Sequence, residues 1–309
     1  MSYTTPIEAP AVGELVRRLS PAALVRPDEP LAKRTTLRVG GAADYYVEPA
    51  SEQDLAAVLS FCGEHGLAFF VMGRGSNLLV RDGGYRGVVI CLAQAHFTRI
   101  ELEAERLRSG AGAKLKAVSM AARQHQLSGL EFLEGIPGSV GGALRMNAGA
   151  MGSEVSQVLQ SVRCMDFDGR VQDRLASGLG AVYRSCGSLR TTIVLEAAFR
   201  GVPGSREAIE GRMAQYSQRR WSTQPAAASA GCAFKNPAEI PAGKLIDELG
   251  LKGVRIGGAA VSLEHGNFIV NEGTATARDV LALMDLIKQR AQSERGIKLE
   301  TEIELVGEE

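Results

Sequence analysis

Residues 129–152 constrain the fold of this chain more than any other segment. They read GLEFLEGIPGSVGGALRMNAGAMG and contain seven glycines in 24 residues. Flexible linkers combine glycine with serine and carry few large apolar side chains, whereas this segment interleaves its glycines with apolar residues that we expect to be buried. Those residues are Leu130, Phe132, Leu133, Ile136, Val140, Leu144 and Met146.

A buried, glycine-dense backbone indicates that something flat or anionic lies against the main chain. Glycine lets a ligand approach closely and lets several N–H groups converge as donors, which suits a pyrophosphate or a ring system. A tightly packed cluster of turns is the alternative, and it would suffice for a single pair of glycines. Seven glycines, with Pro137 and Asn147 among them, favour a binding segment.

A second glycine-rich loop, Gly73-Arg74-Gly75-Ser76-Asn77, follows an apolar run at residues 67–72 that reads as a buried strand. A dinucleotide-binding fingerprint would need a third glycine at Leu78 and a helix beginning there. Residues 78–80 instead continue as strand. No Gly-Lys pair is followed by Ser or Thr, so nucleoside triphosphate chemistry has no support either.

The charge balance bears on the possible partners. Lys plus Arg and Asp plus Glu each number 35, and the pI is about 6.9. Because no basic stripe stands out, we expect no nucleic-acid partner. No window approaches eighteen apolar residues, and the first residues lack a basic segment followed by an apolar run. We therefore expect a cytoplasmic protein without a membrane partner.

The cysteines and histidines indicate neither disulfides nor a metal site. The five cysteines are odd in number and never spaced C-x-x-C, and the four histidines are scattered. We therefore expect reduced thiols and no bound metal.

Apolar periodicity predicts a chain of mixed helices and strands, with a domain boundary at the turn of residues 201–204. Residues 1–32 read as a lead-in, with a helix at residues 11–19 and then a loop punctuated by Pro21, Pro27 and Pro30. Residues 35–48 read as two short β-rich runs around a glycine turn, and residues 109–112 read as a turn. The alternation of residues 299–305 predicts a final strand.

Several long motifs resemble, in the same order, those of the UDP-N-acetylenolpyruvoylglucosamine reductase family, flavoenzymes of peptidoglycan precursor synthesis. The motifs are RTTLRVGGAADYYVEP, GRGSNLLVRDGGYRGVVI, SGLEFLEGIPGSVGGALRMNAGAMG, SAGCAFKNP, AGKLIDELGLKGVRIGGAAVS, GNFIVNEGTAT and LETEIELVG. The resemblance implies an α+β fold. An FAD-binding domain of the PCMH or vanillyl-alcohol-oxidase type would span residues 33–202, with lobes at about 33–92 and 93–202. A C-terminal α+β substrate-binding domain would span residues 203–309.

The resemblance implies two cofactors, FAD and NADPH. FAD would be held largely by main-chain groups of the two segments that their glycine content already singled out. The implied FAD-binding residues are Gly73, Arg74, Gly75, Ser76, Asn77, Leu78, Gly135, Ile136, Pro137, Gly138, Ser139, Gly142, Asn147, Ala148 and Gly149.

The resemblance also implies a reaction and three catalytic residues. NADPH would reduce the flavin, and flavin N5 would deliver hydride to the β-carbon of UDP-N-acetylglucosamine enolpyruvate, giving UDP-N-acetylmuramate. Such a step needs positive charge or donors at the carboxylate and a proton donor at the α-carbon. Arg184 matches the family arginine that clamps the developing negative charge. Glu302 matches the carboxyl group that supports the same intermediate, and Cys232 matches the proton donor.

Cys232 departs from the family pattern, because many members carry serine at this position. A thiol, with an ordinary pKa of about 8.5, is a stronger acid than an alkyl hydroxyl, so the exchange preserves the role. An arbitrary cysteine is more often a small buried residue. The position of Cys232 between Gly231 and Phe234 favours the proton donor.

The substrate contacts are less regular. The implied residues are Tyr183, Arg220, Lys235, Asn236 and Lys244. Ser185 and Cys186 stand where the family often has Asp-Ser, and Thr223 stands where some members place a lysine for the diphosphate. Diphosphate recognition would then fall to Arg219, Arg220, Lys235 or Lys244, each of which could equally be a solvated surface charge.

Two other functions stay open at this point. A flavin oxidase of the same fold would be reoxidised rapidly by oxygen. A non-catalytic paralogue would have lost one of Arg184, Cys232 and Glu302, and all three positions carry usable groups. In each enzymatic case the partner is a small molecule, a UDP-sugar in the first. We expect the protein to be a monomer.

Overall fold

The computed structural model describes residues 9–309, with side chains from residue 12 onward. Residues 1–8 of the predicted lead-in lie outside the described part. The α-helices are α1 Ala9–Arg18, α2 Glu52–Glu64, α3 Ala95–Thr98, α4 Leu115–Gln124, α5 Val140–Arg145, α6 Arg206–Thr223, α7 Ala242–Glu248 and α8 Ala277–Arg295. The 3-10 helices are Leu31–Lys33, Glu131–Gly135, Val155–Gln157, Ala176–Gly178 and Gly187–Leu189.

The β-strands are short except in one central sheet. They are β1 Leu24–Pro30, β2 Ala42–Glu48, β3 Phe69–Met72, β4 Leu78–Val80, β5 Tyr85–Cys91, β6 Ile100–Glu103, β7 Arg106–Gly110, β8 Leu127–Ser128, β9 Gly149–Ala150, β10 Ser153–Glu154, β11 Leu159–Asp166, β12 Val171–Leu175, β13 Ala181–Val182, β14 Ser185–Cys186, β15 Thr192–Arg200, β16 Val202–Pro203, β17 Ala228–Cys232, β18 Arg255–Ile256, β19 Ala259–Val261, β20 Phe268–Asn271 and β21 Glu304–Val306.

The chain forms two compact units that interleave along the sequence. The first unit contains the described residues up to Pro27, Asp44–Arg74 and Gly87–Arg219. The second unit contains Asp28–Ala43, Gly75–Arg86 and Arg220–Glu309. The domain boundaries predicted after residues 32 and 202 divide the chain linearly. They concern functional domains and stay a prediction.

The first unit is built around an antiparallel sheet of five strands in the order β12-β11-β15-β7-β6. Cys164 pairs with Val194 and Ala197 pairs with Ser109 across this sheet. Leu107, Val162 and Phe199 are buried, and they belong to one hydrophobic core with Leu115 and Val118 of α4. Strand β15 is buried for most of its length, and its apolar residues flank the buried Glu196.

A four-stranded sheet has the order β1-β2-β5-β3, in which β3 and β5 run parallel. Strand β1 corrects the prediction of a proline-punctuated loop, since Leu24–Pro30 is extended and paired. Because β1 lies at the sheet edge, its prolines need not donate to a central ladder. The first of the two predicted β runs, before Gly40, is also wrong. Only the second is a strand, Ala42–Glu48.

The turn predicted at residues 109–112 is partly wrong, because Ser109 and Gly110 belong to strand β7. Gly110 is required there by close backbone approach. A Cβ atom at this position would lie 2.1 Å from the carbonyl oxygen of Phe97. A glycine in the sequence can therefore indicate a strand position where another backbone lies too close for a side chain, as well as a turn.

The second unit contains an antiparallel sheet in the order β17-β20-β19-β18. Leu245 and Ile246 of α7 belong to one buried core with Val280, Leu283 and Ile287 of α8. Helix α8 begins with a capping box, in which the Thr276 side chain accepts the Asp279 N–H.

The predicted final strand is shorter than expected. Strand β21, Glu304–Val306, pairs in parallel with β4. The preceding residues follow a different partner, since Thr301 forms an isolated bridge with Phe234. Residues 299–305 therefore do not form one continuous strand: Thr301 pairs with Phe234, and the residues from Glu304 onward pair with β4.

Among the described residues, no helix is long and apolar enough to cross a membrane. The same part of the chain holds no cluster of three or more His, Cys, Asp or Glu side chains suited to a metal ion.

Candidate active site

Gly73 and Ser139 meet in the first unit, at the junction of the two glycine-rich segments. Gly73 directly follows β3, and Ser139 directly precedes α5. A Cβ atom at Gly73 would lie 2.6 Å from Ser139 Oγ, and Ser139 is buried. Only glycine allows the backbone to pass this side chain.

The loop before Ser139 is fastened by its backbone to residues 111–115. The Leu115 N–H donates to the Gly138 oxygen at 3.3 Å, and the Val140 N–H donates to the Ala113 oxygen at 3.0 Å. Gly138 has φ +150°. Gly142, in the first turn of α5, is exposed while Ala143 and Leu144 beside it are buried. The segment thus offers a bare backbone surface above a packed core.

The second unit holds the rest of the first glycine loop. Gly75 is buried with φ +62°, and a Cβ there would lie 2.6 Å from the Arg34 oxygen. Asn77 Nδ2 donates to the Glu302 oxygen at 3.1 Å. The Glu304 N–H donates to the Asn77 oxygen at 3.0 Å. This loop is therefore bound to the C-terminal segment that carries Glu302.

Cys232 and Glu302 are brought to one place by main-chain hydrogen bonds of the second unit. Cys232 ends β17 and pairs with Phe268 of β20. The Glu302 N–H donates to the oxygen of Ala233, the residue after Cys232, at 2.9 Å. Gly231, with φ +80°, has Ser76 O as the nearest atom to a built Cβ, at 3.9 Å. Both Cys232 and Glu302 are half-buried.

Burial distinguishes Cys232 from most of the other cysteines. Cys62, Cys164 and Cys186 are buried, whereas Cys91 and Cys232 are partly exposed. Burial raises the pKa of the Cys62 thiol to about 12 and also raises the pKa of Cys164. A thiol that must exchange protons with substrate and solvent needs some access, which Cys232 has.

Asn267 supports this site and was missed by sequence reasoning. Its carboxamide is buried and pairs twice with the backbone of Phe234. Asn267 Oδ1 accepts the Phe234 N–H at 2.9 Å, and Nδ2 donates to the Phe234 oxygen at 2.7 Å. Asn267 thereby fixes the chain just after Cys232. Its place in a matched motif, GNFIV, was the only available signal.

Arg184 lies in the first unit, at the tip of a hairpin. Strands β13 and β14 pair with Val182 opposite Ser185, so Tyr183 and Arg184 form the connection. Arg184 has φ +56°, a left-handed conformation that is uncommon for a residue other than glycine. Its guanidinium carbon lies 5.2 Å from the centre of the Tyr183 ring.

The Asn147 side chain is committed within the protein. Asn147 is 2% exposed, and its Nδ2 donates to Glu154 Oε2 at 2.8 Å and to the Val182 oxygen at 3.2 Å. Its Oδ1 accepts the Ser156 N–H at 3.1 Å. Any contact of Asn147 with a cofactor would therefore fall to its backbone.

Comparisons with known proteins decide the family. Residues 43–174 match the family model of an FAD binding domain. Residues 224–306 match that of the UDP-N-acetylenolpyruvoylglucosamine reductase C-terminal domain. The UDP-N-acetylenolpyruvoylglucosamine reductase of Geobacter metallireducens is 45% identical over 283 residues, 91% of this chain and 94% of the relative. Reductase 2 of Symbiobacterium thermophilum is 43% identical over 285 residues, 92% of each chain.

A crystal structure of the Thermus caldophilus reductase (MurB) agrees, with a TM-score of 0.80 at 39% identity, covering 92% of this chain and 99% of that one. The chain belongs to the UDP-N-acetylenolpyruvoylglucosamine reductase family. The predicted fold class, α+β with an FAD-binding domain before the reductase C-terminal domain, is confirmed. Both glycine-rich segments fall within the FAD domain match.

The glycine geometry fits the FAD of this reductase family. Gly73 passes Ser139 at a distance that a side chain would block, and Gly142 leaves α5 uncovered. Such a backbone can approach a pyrophosphate or a ring closely. The predicted FAD-binding residues differ in burial. Gly135 and Ala148 are buried, and Arg74 and Pro137 are exposed.

The predicted substrate residues of the reductase family lie at the surface, and most already have a partner. Lys235 Nζ lies 3.1 Å from Glu300 Oε2, and Lys244 Nζ lies 3.8 Å from Glu248 Oε1. Asn236 is exposed, and its Oδ1 accepts the Ala242 N–H at 3.0 Å, which leaves its NH₂ group available. The guanidinium carbon of Arg220 lies 5.8 Å from the centre of the Trp221 ring. Tyr183 is 49% exposed.

Proposed function

We propose that this chain reduces UDP-N-acetylglucosamine enolpyruvate to UDP-N-acetylmuramate, using FAD and NADPH, in peptidoglycan precursor synthesis. One observation carries the proposal: in a chain of this reductase family, a half-buried thiol and a carboxyl group flank one main-chain hydrogen bond, from Glu302 N–H to Ala233 O at 2.9 Å. A non-catalytic relative would have no reason to keep Cys232 and Glu302 together and accessible.

The two glycine-rich segments would hold the cofactor. Gly73, residues 75–78 and residues 135–142 would supply the main-chain groups. The chemistry that bound FAD supplies is hydride transfer, from NADPH to the β-carbon of the enolpyruvyl group.

The chain's own side chains would handle charge and protons. As hydride adds to the β-carbon, the electron pair of the double bond moves to the α-carbon and its carboxylate. Arg184 would bind that carboxylate and stabilise the added negative charge. Cys232 would give its S–H proton to the α-carbon and recover a proton from solvent. Glu302 would support the same intermediate through its carboxyl group.

Substrate recognition would use residues at the protein surface. We propose that Lys235, Lys244 and Arg220 provide positive charge for the diphosphate, and that the Asn236 amide donates to the sugar or the phosphate. Tyr183 would pack against the substrate beside Arg184. The ion pairs of Lys235 and Lys244 are exposed and contribute little stability, so a diphosphate could replace their carboxylates at small cost. We further propose that the protein is a monomer, which sedimentation equilibrium tests, and that it is cytoplasmic, which cell fractionation tests.

Cys232→Ala tests the mechanism by separating the two half-reactions. Flavin reduction by NADPH should stay within about twofold of wild type, because the thiol has no part in it. Reoxidation by UDP-N-acetylglucosamine enolpyruvate should slow by about 10²–10⁴-fold, the range of a lost general acid. Stopped-flow absorbance measures both rates.

Cys232→Ser is the matched control. It keeps a proton donor of similar size, so its reoxidation rate should lie between those of wild type and Cys232→Ala. Equal reoxidation rates for Cys232→Ala and wild type would remove Cys232 from the mechanism. Failure of the substrate to reoxidise reduced wild-type flavin, with rapid reoxidation by oxygen, would instead indicate an oxidase.

A further inference from the structure

We infer that Asn147 is a positioning residue for Arg184, acting through the carbonyl group of Val182. The inference deepens the proposed function and rests on it for the role of Arg184. It gives the Asn147 side chain a role of its own, beside the backbone contact with FAD that the family resemblance implies for this residue.

The hairpin that carries Arg184 has little apolar anchoring at its tip. Val182 is 61% exposed and Tyr183 is 49% exposed, so their side chains bury little surface against the protein. The strand after the tip is anchored, because Cys186 is buried and its Sγ lies 3.6 Å from the Leu179 oxygen. The strand before the tip is held by the hydrogen bond from Asn147 Nδ2 to the Val182 oxygen.

The backbone at Arg184 needs such support. A non-glycine residue at φ +56° is strained, and strained residues persist where the surrounding structure over-determines them. Releasing the Val182 carbonyl would let residues 182–184 relax, and the guanidinium would lose its orientation. Arg184 would remain in the chain, but the backbone that directs its side chain would be displaced.

Asn147 is itself locked from three sides. Its Nδ2 and Oδ1 atoms are engaged by Glu154 Oε2, the Val182 oxygen and the Ser156 N–H. Glu154 is fixed in turn, because it begins the 3-10 helix Val155–Gln157 with a capping box. The chain of contacts therefore runs from this capping box through a buried amide to the residue next to the hairpin tip.

An amide suits this position better than other polar groups. The site requires donors toward a carboxylate and a carbonyl, and an acceptor toward a backbone N–H. Asparagine supplies both kinds from one side chain. It also tolerates the left-handed φ of +43° found at residue 147.

Hydrogen exchange of the FAD-loaded protein tests, without substrate, whether Asn147 holds the hairpin. Asn147→Ala and Asn147→Asp should each speed amide exchange of residues 181–186 by about tenfold, the effect of losing roughly one hydrogen bond. Asn147→Asp is nearly isosteric and keeps the acceptor for Ser156, so it remains informative if the alanine variant folds poorly. Unchanged exchange at the hairpin, or loss of FAD without a change there, would overturn the inference.

A double-mutant cycle with Arg184 tests the consequence for the reaction. Asn147→Asp should slow reoxidation by substrate about tenfold. In the Arg184→Ala background the same substitution should change reoxidation by less than about twofold, because the group it positions is gone. Equal effects in both backgrounds would show that Asn147 acts on something else. A wild-type enzyme that the substrate cannot reoxidise would refute the proposed function, and hydrogen exchange would still decide whether Asn147 holds the hairpin.

Discussion

Replacement of Gly73 by alanine should destabilise the protein, because the backbone at Gly73 passes too close to Ser139 for a side chain to fit. The added Cβ would lie 2.6 Å from Ser139 Oγ, about 0.8 Å inside an ordinary 3.4 Å contact. Gly73 is not in the left-handed region, so the cost is steric rather than conformational. Ser139 is buried and has a single side-chain torsion, so it must leave its rotamer or push its own backbone. Overpacking of this kind costs about 1–3 kcal/mol, or roughly 5- to 150-fold in the unfolding equilibrium.

Urea unfolding of four apoproteins measures this cost directly: wild type, Gly73→Ala, Ser139→Ala and the double variant. With Ser139→Ala the nearest remaining atom would be Cβ at 3.8 Å, an ordinary contact. In that background Gly73→Ala should change the free energy of unfolding by less than about 0.5 kcal/mol, so the two substitutions should couple by about 1–3 kcal/mol. An equal cost of Gly73→Ala in both backgrounds would refute the reasoning.

Gly142→Ala separates protein packing from cofactor binding at the same place. The residue is exposed, and the nearest atom to its built Cβ is Ser139 Oγ at 3.6 Å, so the apoprotein should be no less stable. Alanine should even favour helix α5 slightly. If FAD lies on this bare backbone, the dissociation constant of FAD should nevertheless rise, by about tenfold or more. Fluorescence titration of the apoprotein with FAD measures it, and unchanged affinity would remove Gly142 from the cofactor site.

Two further predictions concern buried polar contacts. Burial alone would raise the pKa of Glu131, but hydrogen bonds from Arg212 and from the backbone amides of Glu131 and Gly129 lower it overall. A carboxyl group with a lowered pKa stabilises the fold above its unfolded pKa of about 4.3 and loses this contribution as pH falls through the folded value. Glu131→Gln should therefore lower the free energy of unfolding by about 1–2 kcal/mol at pH 7. This is less than the loss expected for a fully buried ion pair, because the Arg212 side chain is 39% exposed. In urea melts, the difference from wild type should shrink below about pH 4. Asn267→Leu should lower the free energy of unfolding by about 2–4 kcal/mol, because it leaves the N–H and the C=O of Phe234 unpaired in the interior. A loss below about 1 kcal/mol would show that the buried amide contributes little to stability.

The sequence predicted elements best where one local rule decided them. Such rules account for the Ser51 cap of α2, the Thr276 cap of α8 and the left-handed Gly250 after α7, since each depends on a few neighbouring residues. The errors arose where tertiary contacts overruled local preference. Proline-rich β1 became a strand because it lies at a sheet edge, and Gly110 entered β7 because Phe97 crowds it.

The candidate site divides in the same way. The glycine-rich segments could be identified from the sequence, since seven glycines among apolar residues have few explanations. Arg184, Cys232 and Glu302 were found through the family resemblance and not through spacing, because they are far apart in the sequence. Asn147 was selected as a cofactor contact and not for the hairpin that its side chain holds, and Asn267 was not selected at all. A buried amide reveals its role only through its partners, which lie 35 residues away for Val182 and 33 for Phe234.

The interruption of the last predicted strand explains how Glu302 is held. A continuous strand over residues 299–305 would give every backbone group the same neighbour. Here the N–H of Glu302 donates to Ala233, whereas its carbonyl group accepts from Asn77. Glu302 therefore lies where the chain leaves the segment after Cys232 and joins the strand after the first glycine loop. Its backbone is fixed by the two segments that the proposed reaction must bring together, the proton donor and the cofactor loop. A shift of either segment would move this carboxyl group, so its position depends on the fold of the whole second unit.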